Sequence, residues 1–199
     1  MQQAEVLLLA KGDQLQISEI PQIKFHNSYF GGGMSSIVFQ EMRESKALAY
    51  SVYSTYSIPQ ESDKSHYSFS YVGTQSDKLG EALEGMSDLL NDMPESSENM
   101  SNAKEGIIQK IRTERLTKSR ILSEYERAVK MGIDYDIREN IYNEVQEMDM
   151  TTLKDFHNLH IAPATRIVMV LGDKDNLDLE VLKEYGEIKF LTLEDIFGY

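Results

Sequence analysis

Two periodicities divide the chain. Residues 5–10 (EVLLLA) form a short, nearly continuous apolar run, which reads as a buried strand. Alternation of period two marks two more strands. Residues 50–57 are rich in Tyr and Ser with Val and Thr, and residues 67–73 (YSFSYVG) alternate aromatics with serines. The polar stretch between them (IPQESDKSH) makes the pair an antiparallel hairpin with a long connection. Residues 166–172 (RIVMVLG) read as a strongly apolar strand and residues 187–191 as a last one, ahead of the tail TLEDIFGY.

Helical spacing fills the rest. Ser18 is placed to cap a helix running to about Phe30, with Pro21 in its first turn. Gly31, Gly32 and Gly33 end it, since glycine tolerates the left-handed backbone of a helix C-terminus. Ser35 or Ser36 caps the next helix, whose apolar face is Ile37, Val38, Met42 and Phe39. Leu79, Ala82, Leu83, Met86, Leu89, Leu90 and Met93 recur at spacings of three and four, and Pro94 stops that helix. Further helices are expected over residues 97–117, 121–131, 137–147, 151–160 and 177–185, with Gly132 as a C-cap. No Pro/Ser-rich linker or short repeat divides the chain. One α+β domain over residues 1–199 results, a two-layer arrangement of about four to six mainly antiparallel strands with helices on one face. The first apolar run opens so close to residue 1 that the chain is expected to be cut from a longer multidomain protein.

Composition narrows the partners. The formal net charge is −13 over 199 residues, which opposes nucleic acid or anionic membrane surfaces. No stretch approaches the roughly 18 apolar residues of a membrane span, and the start lacks the basic region of a signal peptide. Cysteine is absent, so disulfides and a cysteine nucleophile are excluded, and a zinc site would need His and carboxylates.

Candidate chemistry is sparse. The glycine run is followed by Met34 and serines, with no lysine until Lys46, so it is not a P-loop. A helix rather than a strand precedes it, so it is not a dinucleotide fingerprint either. A tight helix–helix turn is the favoured reading over an anion site at Ser36. His157 and His160 stand three apart on a helix near Asp155, a spacing that can supply metal ligands, but neither His-Glu-x-x-His nor His-x-x-Glu-His occurs. The pair reads as surface, with no metal held by this chain. His26 and His66 are isolated in sequence, and no Gly-x-Ser-x-Gly elbow is present. Arg43, near a helix end, and Tyr50, at a strand start, could together hold a peptide carbonyl or stabilise an oxyanion. On spacing alone the favoured reading is a solvated helix-end cation and a strand aromatic.

The stretch YFGGGMSSIVFQEMRESKALAY resembles the pitrilysin/insulinase family of zinc metallopeptidases, in a later, non-catalytic domain. The shared pattern is a glycine turn, small residues, an apolar helix, Arg, a glaY-like segment and a strand. The likeness continues through YSFSYVGTQSDKLGEAL, SENMSNAKEGIIQKIRTERLT and HIAPATRIVMVLGDKDNL. It implies a two-layer domain of the mitochondrial-processing-peptidase/LuxS-like metallohydrolase type. It implies also that Arg43 and Tyr50 are substrate-binding, contacting peptide at an active site on another domain of the same or a companion chain. No catalytic residue is expected here, and zinc is expected on that separate catalytic domain. Ala47 stands where the family usually has glycine, which is expected to alter the turn slightly. The competing readings are a structural or partner-binding module with no substrate contact, and a small-molecule enzyme using the glycine turn.

Overall fold

A computed structural model describes residues 3–199. Four strands, β1 (Gln3–Gln14), β2 (Ser51–Tyr56), β3 (Ser65–Gln75) and β4 (Ile167–Gly172), form one sheet in the order β2-β3-β1-β4, antiparallel throughout. A 3₁₀ turn (Ile17–Glu19) leads into α1 (Ile20–Phe30). After the glycines comes α2 (Ile37–Phe39), continuous with a π-helical turn (Gln40–Ser45). Four longer helices follow β3: α3 (Leu79–Asn91), α4 (Ser97–Thr113), α5 (Lys118–Met131) and α6 (Ile137–Glu147). Then come α7 (Met150–His160) and, beyond β4, the short α8 (Leu179–Lys183) and α9 (Leu193–Phe197). The helices lie on one face of the sheet, as the α+β reading expects.

Two strand expectations change. β1 extends well past the apolar run, pairing with β3 from Gln3↔Gln75 to Gln14↔Ser65 with a register shift after Lys11. Ladder hydrogen bonds come from the backbone, so they continue through polar residues that periodicity cannot assign. Residues 187–191 form no strand: they follow Gly186 (φ +144°) as irregular chain with no ladder partner among the described residues. There Phe190 lies beneath the Lys174 ammonium, 4.4 Å from the ring centre. The α3 stripe is buried as its spacing predicts, and Met93 is buried although the helix itself stops at Asn91. Gly132 caps α5 in the left-handed conformation at φ +76°.

The alternation of β3 is correct in period and unexpected in direction. Its buried side carries His66, Ser68, Ser70, Val72 and Thr74, and the aromatics Tyr67, Phe69 and Tyr71 face the other way. On the buried side Ser54 of β2 and Ser70 of β3 pair hydroxyl to hydroxyl at 2.8 Å. Small side chains here let the end of α1 come down onto β2. A Cβ on Gly31 would lie 2.0 Å from the Ser54 carbonyl oxygen, closer than any real contact. One turn earlier the Asn27 amide brackets Tyr56, donating to its carbonyl at 2.9 Å and accepting from its N–H at 2.7 Å. α1 is also buried on its other sides, through Ile23, Phe25, His26, Tyr29 and Phe30, and packs against α4, α6 and α7. It is the hub of the helix layer. Gly31→Ala must push α1 off β2 and is expected to destabilise this chain by about 2 kcal/mol or more, read as a lowered urea midpoint.

Candidate functional site

Arg43 projects from the π-helical turn that follows α2. Ser36 starts this helix, its hydroxyl donating to the Gly33 carbonyl at 2.7 Å and accepting from the Phe39 N–H at 3.4 Å. That hydroxyl is therefore engaged in the turn, and Gly33 supplies the left-handed residue at φ +112°. The glycine run is architecture, as the sequence favours. A π-turn is wider than an α-turn, closing hydrogen bonds five residues apart, as Lys46 N–H does to the Glu41 carbonyl at 3.0 Å. The Arg43 guanidinium lies over the Phe39 ring at 4.9 Å and makes a loose 3.8 Å ion pair with Glu44. Its side chain is 47% exposed. An ion pair this open contributes little to stability.

Tyr50 closes the loop that follows. Its N–H bonds to the Gly73 carbonyl at 3.1 Å and its hydroxyl donates to the Thr74 carbonyl at 2.8 Å. The loop between the two residues is tied down at several points. Leu48 N–H bonds to the Met42 carbonyl at 2.8 Å, Thr74 Oγ1 donates to the Leu48 carbonyl at 2.6 Å, and Lys78 Nζ donates to the Ala47 carbonyl at 3.2 Å. Ala47 itself sits at φ +50°. The loop thus keeps the left-handed backbone that glycine adopts without strain, and alanine bears the cost. Among the described residues no hydrogen bond or ion pair joins Arg43 to Tyr50.

The sheet's outer face adjoins this loop. Gly73 lacks a side chain, and the Tyr50 ring and the Tyr71 hydroxyl occupy the space beside it, 3.3 and 3.1 Å from where a Cβ would stand. Tyr71 stacks on Tyr53, with ring centres 5.3 Å apart and planes 20° apart. Partial burial, and then the Glu5 carboxylate, push the Tyr50 and Tyr71 phenols up from their ordinary value, so both stay protonated donors near neutrality. Cross-strand register carries the surface on, from Tyr53 through Tyr71 and Leu7 to Met169, and from Phe69 through Leu9 to Ile167. This aromatic and aliphatic face was not legible as a site. The alternation showed that the strand had two faces, and it did not say which one the helices cover.

The histidines are corrected outright. His157, expected at the surface, is fully buried, and the His160 side chain is nearly so. His157 Nδ1 meets His26 Nε2 at 3.1 Å and its Nε2 meets the Leu90 carbonyl at 3.1 Å, so both its nitrogens are occupied within the core. His66, isolated in sequence, stacks on Tyr56 at 4.9 Å in the same region. Among the described residues no three His or carboxylate groups converge as metal ligands.

The sequence model of the peptidase M16 inactive domain matches residues 1–106, more than half of the chain. The chain belongs to this family. The matched part includes β1 through α3, with Arg43 and Tyr50 inside it. A curated relative, the uncharacterized zinc protease YmxG of Bacillus subtilis (strain 168), is 34% identical over 107 residues. The match takes in 52% of this chain and 25% of that protein, so the chain spans about a quarter of the relative. Among solved structures, the peptidase M16 inactive domain from Pseudomonas fluorescens superposes with a TM-score of 0.70 at 16% identity, covering 85% of this chain and 41% of that one. A putative zinc protease from Bordetella pertussis gives 0.65 at 13% identity, covering 85% of this chain and 93% of that one. At such identities the superpositions establish the M16 fold.

Within this M16 domain, Ala47→Gly relieves left-handed strain of about 1–2 kcal/mol against a loss of unfolded-state restriction of roughly 0.5–1 kcal/mol. A net stabilisation of about 0.5–1 kcal/mol is expected, read from the urea midpoint of the chain.

Proposed function

We propose that this M16 inactive domain forms part of the peptide-binding chamber of a zinc metallopeptidase, offering Arg43 and Tyr50 to a peptide at an active site on another domain. The reading rests on one observation above others. Arg43 and Tyr50 are both exposed at the two ends of a loop that backbone and side-chain hydrogen bonds hold rigid beside an open aromatic face. A residue that must meet substrate needs this combination of exposure and preorganisation.

The hydrogen-bond inventory divides the roles. A tyrosine hydroxyl has one proton, and that of Tyr50 goes to the Thr74 carbonyl. Its oxygen then offers lone pairs, suited to accept a peptide N–H. Arg43 offers guanidinium donors, suited to a peptide carbonyl, and its interaction strengthens as negative charge develops on that oxygen. The pair thus matches the acceptor and donor of peptide backbone. For Tyr50 to donate to an oxyanion it must first leave Thr74. Tyr53, Tyr71, Leu7 and Leu9 supply apolar surface for side chains of the same peptide. Zinc, as the cofactor of such an enzyme, is assigned to a separate domain of the same or a companion chain, since among the described residues no three His or carboxylate groups converge as ligands.

A structural role without substrate contact is the second reading. The Arg43–Phe39 stack and the Tyr50–Thr74 bond favour it, since each residue already has a partner within the domain. The two readings part in the full-length enzyme. Arg43→Ala is expected to lower kcat by about 10²-fold or more, with Tyr50→Phe weaker, while neither shifts the stability of the chain by more than roughly 1 kcal/mol. Near-wild-type kinetics for both variants would discard the substrate-contact role, and a large stability loss without a kinetic one would establish the structural role.

A further inference from the structure

All four histidines of the chain lie in one buried cluster between α1, α7 and the sheet. His26 of α1 lies 4.9 Å from Phe156 and 5.2 Å from Phe30, and His157 of α7 meets the Phe30 edge at 5.0 Å. His160 is 4.7 Å from Phe156 and 5.6 Å from Tyr56, which stacks on His66. Only His26 and His157 bond to each other. Their protons are assigned by what surrounds them. The Leu90 carbonyl can only accept, so His157 carries its hydrogen on Nε2 and leaves Nδ1 as an acceptor. His26 must then donate from Nε2, which leaves its Nδ1 bare, buried and without a partner.

A proton has no good place in this arrangement. Added to His157 Nδ1, it faces the N–H of His26. Added to His26 Nδ1, it forms an N–H with no acceptor, in an apolar pocket. A shift of the His26 tautomer restores the shared bond but still leaves that orphan N–H beside a buried charge. The surrounding charges offer little relief. His26 faces His157 and His160, both of which oppose a positive ring. His157 faces Arg166, before β4, which opposes it, and Asp92, after α3, which favours it. Among the described residues the carboxylate paired in the cluster, Glu19 before α1, is 3.6 Å from His160 Nε2 instead.

We propose that the His26–His157 pair is a proton-sensitive latch, holding α7 on α1 while both rings are neutral and releasing it in acid. Burial is the main cause that holds both rings below the ordinary histidine value, His26 well below it and His157 at about 4. The sign follows. Both groups bind protons more weakly folded than unfolded, so their contribution is complete above about pH 6.5 and is lost as pH falls through His157's value of about 4. His157 alone then lowers the folding equilibrium constant on the order of a hundredfold between pH 7 and pH 4. The latch is independent of any substrate contact by Arg43 and Tyr50.

The test is made on the 199-residue chain. Urea unfolding from pH 7 to pH 4 is compared with that of His26→Phe/His157→Leu, which removes both partners of the bond together. The variant is expected to lose about a hundredfold less stability across this range, and equal losses would overturn the latch. Wild-type ¹⁵N spectra of the imidazoles give a reading that does not depend on the variant folding. Both rings are expected as Nε2–H tautomers, with His157 titrating below pH 5; titration of both near 6.5 would overturn it. Hydrogen exchange locates the release: at pH 5, corrected for intrinsic rates, α7 amides are expected to lose protection before those of β1 and β3, and uniform loss would contradict a latch.

Discussion

The closest constraint in the molecule is the approach of Gly31 to the Ser54 carbonyl, with no room for a single carbon between them. It sets α1 directly on β2, and the rest of the domain is arranged from there. Asn27 can bracket Tyr56 only at that separation. The inner face of the sheet must be small there, which is why Ser54 and Ser70 sit inside and satisfy one another. With α1 seated, Tyr29 reaches past it, donating to the Pro94 carbonyl and accepting from Ser96 N–H, so the turn between α3 and α4 is tied to the same helix.

Filling the inner face with small polar groups has a consequence outside. Apart from the buried Tyr56, the Tyr and Phe residues of β2 and β3 go to the open face, where Tyr53 and Tyr71 stack and Tyr50 folds over Gly73. An apolar sheet face left uncovered by a domain's own helices is a surface for something else. In a domain of the M16 inactive family that surface adjoins the loop bearing Arg43. The π-turn and the left-handed Ala47 belong to the same economy, since both are costly local geometries held by the hydrogen bonds around them.

Much of this was legible from residue order. The helical stripe on α3, the Gly132 cap, the hairpin and the apolar β4 follow from spacing and turn chemistry alone, because those signals are local. The family resemblance drew attention to Arg43 and Tyr50, where spacing alone favoured a solvated cation and a strand aromatic. What failed was long-range. Residues 187–191 have strand-like alternation, but a strand exists only where another strand offers an edge, and none pairs with them. The histidines failed for the same reason. Spacing placed His157 and His160 on a helix correctly, yet their environment is set by His26, more than a hundred residues away in the chain.

Local sequence thus determined the type of most elements, the absence of a disulfide framework and the acidic character of the chain. These depend on each residue's backbone preference, its charge and its near neighbours. Tertiary structure alone decided which face of β3 is inside, that Tyr50's proton is spent on Thr74, and that the histidines meet in the core. Each of those depends on a contact between segments distant in the chain, which the intervening sequence does not encode.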